Sequence, residues 1–182
     1  VPLSVWLLNE QSEVGIFEAG ISEPGEMQAL RDMIQPTIGV LTCLGSAHQE
    51  NFQSLDDKCR EKLRLFHDAQ CVVYCYDDEV VRRCMGQSAY KGEQLSWSMT
   101  DPAAAIYVGS VEKDGNTSRV TYTYKGGTSN YVIPFIDDAS VMNSVTCVAV
   151  ALHLGISPQA LSERMPQLEP VAMRLEVKEG QH

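Results

Sequence analysis

The stretch CVVYCYDDEVVRRCM, residues 71–85, indicates the fold class most directly. Residues 71–76 form an apolar run that predicts a buried strand, and Asp77-Asp78 then favours the start of a helix running to about Met85. Two similar units of apolar run and helix precede this stretch. Because strands that alternate with helices form parallel sheets covered on both faces, the sequence predicts an α/β fold.

The units on either side complete the predicted order of elements. The upstream strands are predicted at Val14–Phe17 and Thr37–Cys43, and their helices at 24–34 and 55–67, the second capped by Ser54. Three downstream strands separated by turn sequences predict a small antiparallel β-meander, at 103–112, 119–124 and 130–135. A helix at 139–154, a short helix from Pro158 and a final strand at 174–177 follow.

These elements predict one α/β domain over residues 1–182, with a mainly parallel sheet flanked by helices. The parallel part is expected over about 1–100 and the meander over about 103–136. The helices and closing strand are expected over about 137–182.

Composition and charge exclude several classes of protein. The 182 residues carry a net charge of −10, without the basic patch that nucleic-acid binding needs. No apolar run approaches the roughly 20 residues of a membrane span, and the start lacks a signal-peptide pattern. The chain begins with Val1 and not Met, and its six cysteines form no CxxC pair. We expect part of a longer cytoplasmic protein with reduced thiols that binds no nucleic acid and has no membrane span.

Two side chains follow predicted strands at their carboxyl ends. Glu18 comes directly after the strand at 14–17, and His48 follows the strand at 37–43. Ligands bind at that edge of open α/β sheets, so a carboxylate and an imidazole there would suit a divalent metal ion that also binds phosphate oxygens. The alternative is two exposed loop side chains, and the spacing does not decide between these interpretations.

Lys62 falls on the apolar side of the helix predicted at 55–67. With about 100° per residue, it lies close to Phe66 and Cys59 on the helical wheel, whereas Lys58 is a weaker candidate for the same arc. An inward lysine must find an anion, extend its amine to water or be chemically neutralised. The alternative is a lysine at the helix border that reaches solvent. The positions predicted to face outward are Asp57, Arg60, Glu61 and Arg64.

Asn143 lies early in the helix predicted at 139–154. A side-chain amide can bind the edge of an adenine, and it can equally cap the backbone locally. The sequence contains no Gly-x-x-x-x-Gly-Lys-Ser/Thr phosphate loop. The residues alone therefore predict an acidic α/β domain with a candidate metal site at one edge of its sheet.

Five segments also match, in order, the motifs of one enzyme family. EAGISEPGEM at 18–27 resembles a Glu-x-Gly stretch followed by Pro-Gly-Glu, and AHQENFQSL at 47–55 resembles Ala-His-Leu-Glu-x-Phe-x-Ser. EKLRLF at 61–66 is similar to the lysine-bearing helix of this family. Residues 137–155 are similar to its adenine-side helix, and MRLE at 173–176 is similar to the Arg-Leu stretch that closes its central domain. The family is that of the MurF-type Mur ligases. The first segment looks most like ligases fused to an alanine racemase.

The resemblance implies a P-loop-type, three-layer central domain of an ATP-dependent ligase, with the N-terminal phosphate-loop part absent. Such ligases add D-alanyl-D-alanine to UDP-N-acetylmuramoyl-tripeptide through an acyl phosphate in peptidoglycan synthesis, and they use ATP and Mg²⁺. The implied partners are both substrates, the missing N- and C-terminal ligase domains and a fused alanine racemase.

The resemblance also implies a role for each candidate residue. Glu18 and His48 match metal-binding positions. Lys62 matches the lysine that is carbamylated and then holds metal, and Asn143 and Arg174 match nucleotide contacts. We expect the 182 residues alone to be inactive. The alternatives are another Mur ligase or folylpolyglutamate synthase-like domain, or a non-catalytic α/β interaction module.

Overall fold

A computed structural model of the protein describes residues 2–45 and 49–170, and these residues form a six-stranded sheet with helices on both faces. The strands are β1 (Ile38–Leu41), β2 (Cys71–Cys75), β3 (Glu93–Ser98), β4 (Ile106–Asp114), β5 (Thr117–Tyr124) and β6 (Gly127–Ile133). The α-helices are α1 (Pro2–Val5), α2 (Glu26–Ile34), α3 (Leu55–Arg64), α4 (Glu79–Gln87), α5 (Asp138–His153) and α6 (Pro158–Arg164). Short 3-10 turns lie at Gln49–Asn51 and Met165–Gln167.

The strand order in space equals the order along the chain. Strands β1 to β4 pair in parallel, and β4, β5 and β6 pair antiparallel as a meander. Gly115 and Gly126 lie in the two hairpin turns with φ of 54° and 78°, a region that favours glycine. The predicted α/β class, with its parallel strands and antiparallel meander, is therefore confirmed.

Helices cover both faces because β2 is apolar on both sides. Its residues Val72 and Tyr74 pack in one core with α2, α3 and α4. Residues Val73 and Cys75 pack in the other core with α5 and α6. The described residues thus form three layers, and none of their helices is long and apolar enough to cross a membrane.

Two strands differ from the sequence-based prediction. Residues 14–17 form no strand, and Val14 and Ile16 are largely exposed. A four-residue run that pairs with no other described strand gains neither ladder hydrogen bonds nor burial. Conversely, the pattern analysis misses β3, because only Leu95 and Trp97 of its six residues are large and apolar. The strand predicted at 174–177 lies outside the described residues.

Candidate functional site

The carboxyl ends of the parallel strands lie along one edge of the sheet. We call this the carboxyl edge, and it comprises the segments 42–45 after β1, 76–78 after β2 and 99–101 after β3. Open α/β sheets bind their ligands at such an edge, because the loops there diverge and backbone groups are free. The site analysis therefore begins with the side chains that reach these three segments.

Helix α3 directs two lysines to the segment that follows β1. Its N-cap is Ser54, as predicted, and the Ser54 hydroxyl accepts a hydrogen bond from Asp57 N at 3.1 Å. One helical turn apart, Lys58 Nζ donates to Gly45 O at 2.8 Å and Lys62 Nζ donates to Cys43 O at 3.2 Å. The two amines thus hold two carbonyls, two residues apart, of one loop at the carboxyl edge.

The burial of the two lysines reverses the order predicted from the helical wheel. Lys58 is only 2% exposed, whereas Lys62 is half-buried. Treating Lys58 as the weaker inward candidate is therefore wrong. The wheel considers α3 alone, and the loop after β1, which accepts the Lys58 hydrogen bond, is not part of that pattern.

The environment of Lys62 shifts its amine toward the neutral form. Burial lowers the pKa of the Lys62 amine, the neighbouring Cys43 opposes this shift and the positive charge of Lys58 adds to it. A neutral amine has a free lone pair, whereas an ammonium has none. Lys62 is therefore closer to a reactive amine than an exposed lysine would be.

Glu61, predicted to face outward, is buried at 4% exposure, so that prediction is wrong. Its carboxylate accepts hydrogen bonds from Gly25 N at 2.7 Å and Met27 N at 3.3 Å, both at the start of α2. Arg64 donates to the same carboxylate at 2.7 Å. The N-terminus of α2 attracts the negative charge of Glu61. The helical wheel considers α3 alone, so it cannot show that α2 places its N-terminus beside Glu61. Glu61 thus connects α3 to the segment that follows Glu18.

Glu18 is exposed in the irregular segment before α2. Four residues later, Ser22 O accepts a hydrogen bond from Asn51 Nδ2 at 2.9 Å. Glu26 also holds this segment, since its carboxylate accepts from Ser22 N at 2.7 Å. The structure therefore brings the segment that follows Glu18 to the turn that follows His48. His48 itself lies outside the described residues.

Asp77 is a polar group at the carboxyl edge that sequence reasoning interpreted only as part of a helix cap. Its carboxylate accepts from Ser98 Oγ, from Met99 N at 2.7 Å and from Thr100 Oγ1 at 2.6 Å. Burial alone would raise its pKa, but these hydrogen bonds from Ser98, Thr100 and the backbone outweigh it and lower the pKa of Asp77. Asp78 alone caps α4, accepting from Val80 N and Val81 N.

Asn143 is exposed near the start of α5, on the face of the sheet opposite to α3. One turn later, Thr146 Oγ1 accepts a hydrogen bond from Trp97 Nε1 at 3.1 Å, near the carboxyl end of β3. Asn143 is therefore placed toward the carboxyl edge from the other face. Among the described residues, the Lys62 amine donates to Cys43 O and not to Asn143. Arg174 lies outside the described residues.

These features define a three-layer α/β domain whose polar side chains gather at the carboxyl ends of parallel strands. Residues 1–151, most of the chain, match the Mur ligase middle domain. The chain therefore belongs to the Mur ligase family.

Individual relatives agree with this assignment. The chain is 24% identical to the UDP-N-acetylmuramoyl-tripeptide–D-alanyl-D-alanine ligase of Bacillus subtilis strain 168, over 97% of this chain and 38% of that protein. Among solved structures, a crystal structure of MurF from Acinetobacter baumannii superposes with a TM-score of 0.80 at 20% identity, covering 94% of this chain and 38% of that one. MurF ligase from Thermotoga maritima in complex with ADP gives a TM-score of 0.71 at 18% identity, over 87% and 36% of the two chains. The chain thus spans about two fifths of the length of these relatives.

Proposed function

We propose that this protein is the central, ATP-using domain of a MurF-type ligase of the bacterial cytoplasm. The reaction joins D-alanyl-D-alanine to UDP-N-acetylmuramoyl-tripeptide through an acyl phosphate. The observation that supports it most strongly is the match to the Mur ligase middle domain, together with Lys62 at the carboxyl edge. The named activity of the Bacillus subtilis relative and the ADP in the Thermotoga maritima structure favour the same substrates and nucleotide.

The donor set at the carboxyl edge fits a hard divalent cation under one chemical condition. Glu18 offers a carboxylate and His48 an imidazole, but the Lys62 ammonium cannot bind a cation. The Lys62 nitrogen fits once it attacks CO₂, forms an N–C bond and loses its proton, since the product is an anionic carbamate. The lowered pKa of Lys62 favours this step, because the neutral amine is the attacking form. Glu18, His48 and carbamylated Lys62 would then hold Mg²⁺, which offsets phosphate charge when bound.

The protein's own residues supply position and orientation for this chemistry. Lys58 fixes the carbonyl of Gly45, two residues after the carbonyl of Cys43 that Lys62 holds. Once Lys62 is an anion, the buried Lys58 ammonium would become its nearest balancing charge on α3. Asn143 and Arg174 would contact the nucleotide from the other side of the edge. The net charge of −10 would otherwise repel ATP and the acidic tripeptide, so cation binding at this edge is a requirement of the proposal.

We propose in addition that the three parts of the chain contribute unequally. The parallel part, about 1–100, supplies Glu18, His48 and Lys62, while the meander at about 103–136 is structural. The part at about 137–182 supplies Asn143 and Arg174. The remaining ligase domains, and a fused alanine racemase, are the partners expected in the whole enzyme.

A coupled assay tests the proposal on the full-length protein that carries these residues. The protein is incubated with ATP, Mg²⁺ and UDP-N-acetylmuramoyl-tripeptide, and phosphate release is measured with and without D-alanyl-D-alanine. We expect one phosphate per ligated product, with the product identified by mass spectrometry. Sustained turnover with diaminopimelate or L-alanine on the corresponding shorter precursors, and none with D-alanyl-D-alanine, would assign the domain to another Mur ligase.

A further inference from the structure

Three side chains of different chemistry converge at the amino edge of the sheet, the end opposite to the carboxyl edge. Cys71 is the first residue of β2, Glu93 the first of β3 and His153 the last of α5. The Cys71 sulfur, a Glu93 carboxylate oxygen and a ring nitrogen of His153 all lie within 4.8 Å of one another. His153 Nδ1 is 3.5 Å from Glu93 Oε2.

The backbone places these groups on rigid elements. Cys71 and Glu93 are direct partners in the parallel ladder of β2 and β3, so their side chains leave the same face of the sheet about 4.8 Å apart. That face carries α5, because Cys71 and Val73 pack in the same core as Val148 and Leu152. His153 follows Leu152 directly, and its ring extends from α5 toward the first residues of β2 and β3.

We propose that Cys71, Glu93 and His153 form a second metal site, which binds Zn²⁺ or a similar transition-metal ion. Thiolate and imidazole are ligands that select such metals over Mg²⁺, and three protein ligands leave one tetrahedral position for water. The thiolate and the carboxylate carry one negative charge each and the imidazole none, so together they neutralise a divalent ion. The carbonyl end of α5 adds a favourable dipole beside His153.

Only small side-chain movements are needed to close this site. Metal–ligand bonds of about 2.0–2.3 Å place tetrahedral ligand atoms roughly 3.3–3.8 Å apart, which is about 1–1.5 Å less than the 4.8 Å within which these ligand atoms lie. Burial, aided by the Glu93 charge, raises the pKa of the Cys71 thiol to about 11, so the thiol is protonated before metal binds. Binding therefore releases the thiol proton, and the bound ion would tie the end of α5 to β2 and β3.

Cobalt provides the probe, because a cobalt–thiolate bond gives a near-ultraviolet charge-transfer band that oxygen and nitrogen ligands do not give. The full chain is titrated with Co²⁺, and Zn²⁺ is then added as competitor. We expect the band to saturate at one Co²⁺ per chain and to disappear on adding Zn²⁺. Zn²⁺ should also raise the melting temperature, since it binds only the folded state.

Variants separate this site from the carboxyl edge. Cys71→Ser should abolish the band, and His153→Gln, at a position only partly buried, should weaken Co²⁺ binding at least tenfold. Cys43→Ser is the matched control, because Cys43 is the exposed thiol beside Lys62 and its loss should leave the band unchanged. Absence of the band in the folded parent chain would overturn the proposal, as would a band that Cys43→Ser removes and His153→Gln leaves intact.

Discussion

The carboxyl edge and the β-meander belong to the same sheet, but the first gathers charged side chains at its loops and the second buries its side chains in a core. The parallel strands β1 to β3 are joined through helices, and the loops between them receive charged groups such as Lys58, Lys62 and Asp77. The meander is joined by tight turns, and its inner face carries buried side chains such as Tyr122 and Tyr131. Parallel connections must cross the sheet and therefore leave long loops at its edge, whereas hairpins leave little room for a site. Substitutions at the edge should thus change activity, and those in the cores should change stability.

The largest effect is expected from Lys62→Ala in the full-length enzyme. Alanine removes the nitrogen that would carry the carbamate, so we expect ligation to be abolished. Short-chain carboxylic acids in the buffer should restore part of the rate, because they can supply the missing anion. The measurement is phosphate release with both substrates present.

Lys91→Ala is the matched control for that experiment, since Lys91 is an exposed lysine away from the carboxyl edge. It should retain the parental rate. If Lys62→Ala also retains it, Lys62 has no part in the mechanism.

Glu61→Ala should give the largest loss of stability. The substitution leaves the amides of Gly25 and Met27 without their acceptor at a buried position, which costs about 2–3 kcal/mol. Urea unfolding measures the change. Arg60→Ala provides the comparison, because the Arg60 side chain is 53% exposed in its ion pairs with Asp56 and Asp57, and its loss should change the free energy of unfolding by less than about 1 kcal/mol. Equal effects of the two substitutions would contradict the capping role of Glu61.

A smaller effect on stability is expected in the meander, where two buried tyrosines, Tyr122 and Tyr131, can be compared directly. The Tyr131 hydroxyl is 2.9 Å from Ser144 Oγ, so Tyr131→Phe should cost about 1 kcal/mol. The buried Tyr122 hydroxyl lies near Ser129 but makes no hydrogen bond of ordinary geometry within the described residues, so Tyr122→Phe should cost less than Tyr131→Phe. Thermal unfolding of both variants measures the difference in stability. A larger loss of stability for Tyr122→Phe would contradict the assignment of the stronger hydrogen bond to the Tyr131 hydroxyl.

The smallest effect concerns acid stability at Asp77. Its pKa is lower in the folded state than in the unfolded chain, so its contribution is fully present above about pH 4 and is lost as pH falls through the folded-state value. Asp77→Asn should therefore reduce stability near neutral pH and flatten the loss of stability in acid. Denaturant unfolding from neutral to acidic pH checks this, and an unchanged acid profile would show that Asp77 does not contribute.

Local patterns were sufficient where an element depends on its own residues. The caps at Ser54 and Asp78 and the hairpin turns were predictable for this reason. Features that depend on distant partners were not. Strand β3 is recognisable only beside β2, and the burial of Lys58 and Glu61 depends on the loop after β1 and on the N-terminus of α2.

The candidate site also contains one residue that a local pattern predicted and one that it missed. The helix pattern placed Lys62 toward the apolar side, and the structure puts its amine at the carboxyl edge. Asp77 was missed as a separate polar group because two adjacent acids after a strand also form an ordinary helix cap. Its hydrogen bonds come from residues about 20 positions later, which no local pattern includes.

The central claim is that Glu18, His48 and carbamylated Lys62 hold divalent metal at the carboxyl edge. Anomalous diffraction from crystals of the full-length enzyme, grown with Mn²⁺ and a non-hydrolysable ATP analogue, tests it most directly. The account predicts a manganese peak bonded to all three side chains, with extra density on the Lys62 nitrogen. An unmodified Lys62 amine still donating to the Cys43 carbonyl, with manganese bound elsewhere, would contradict it.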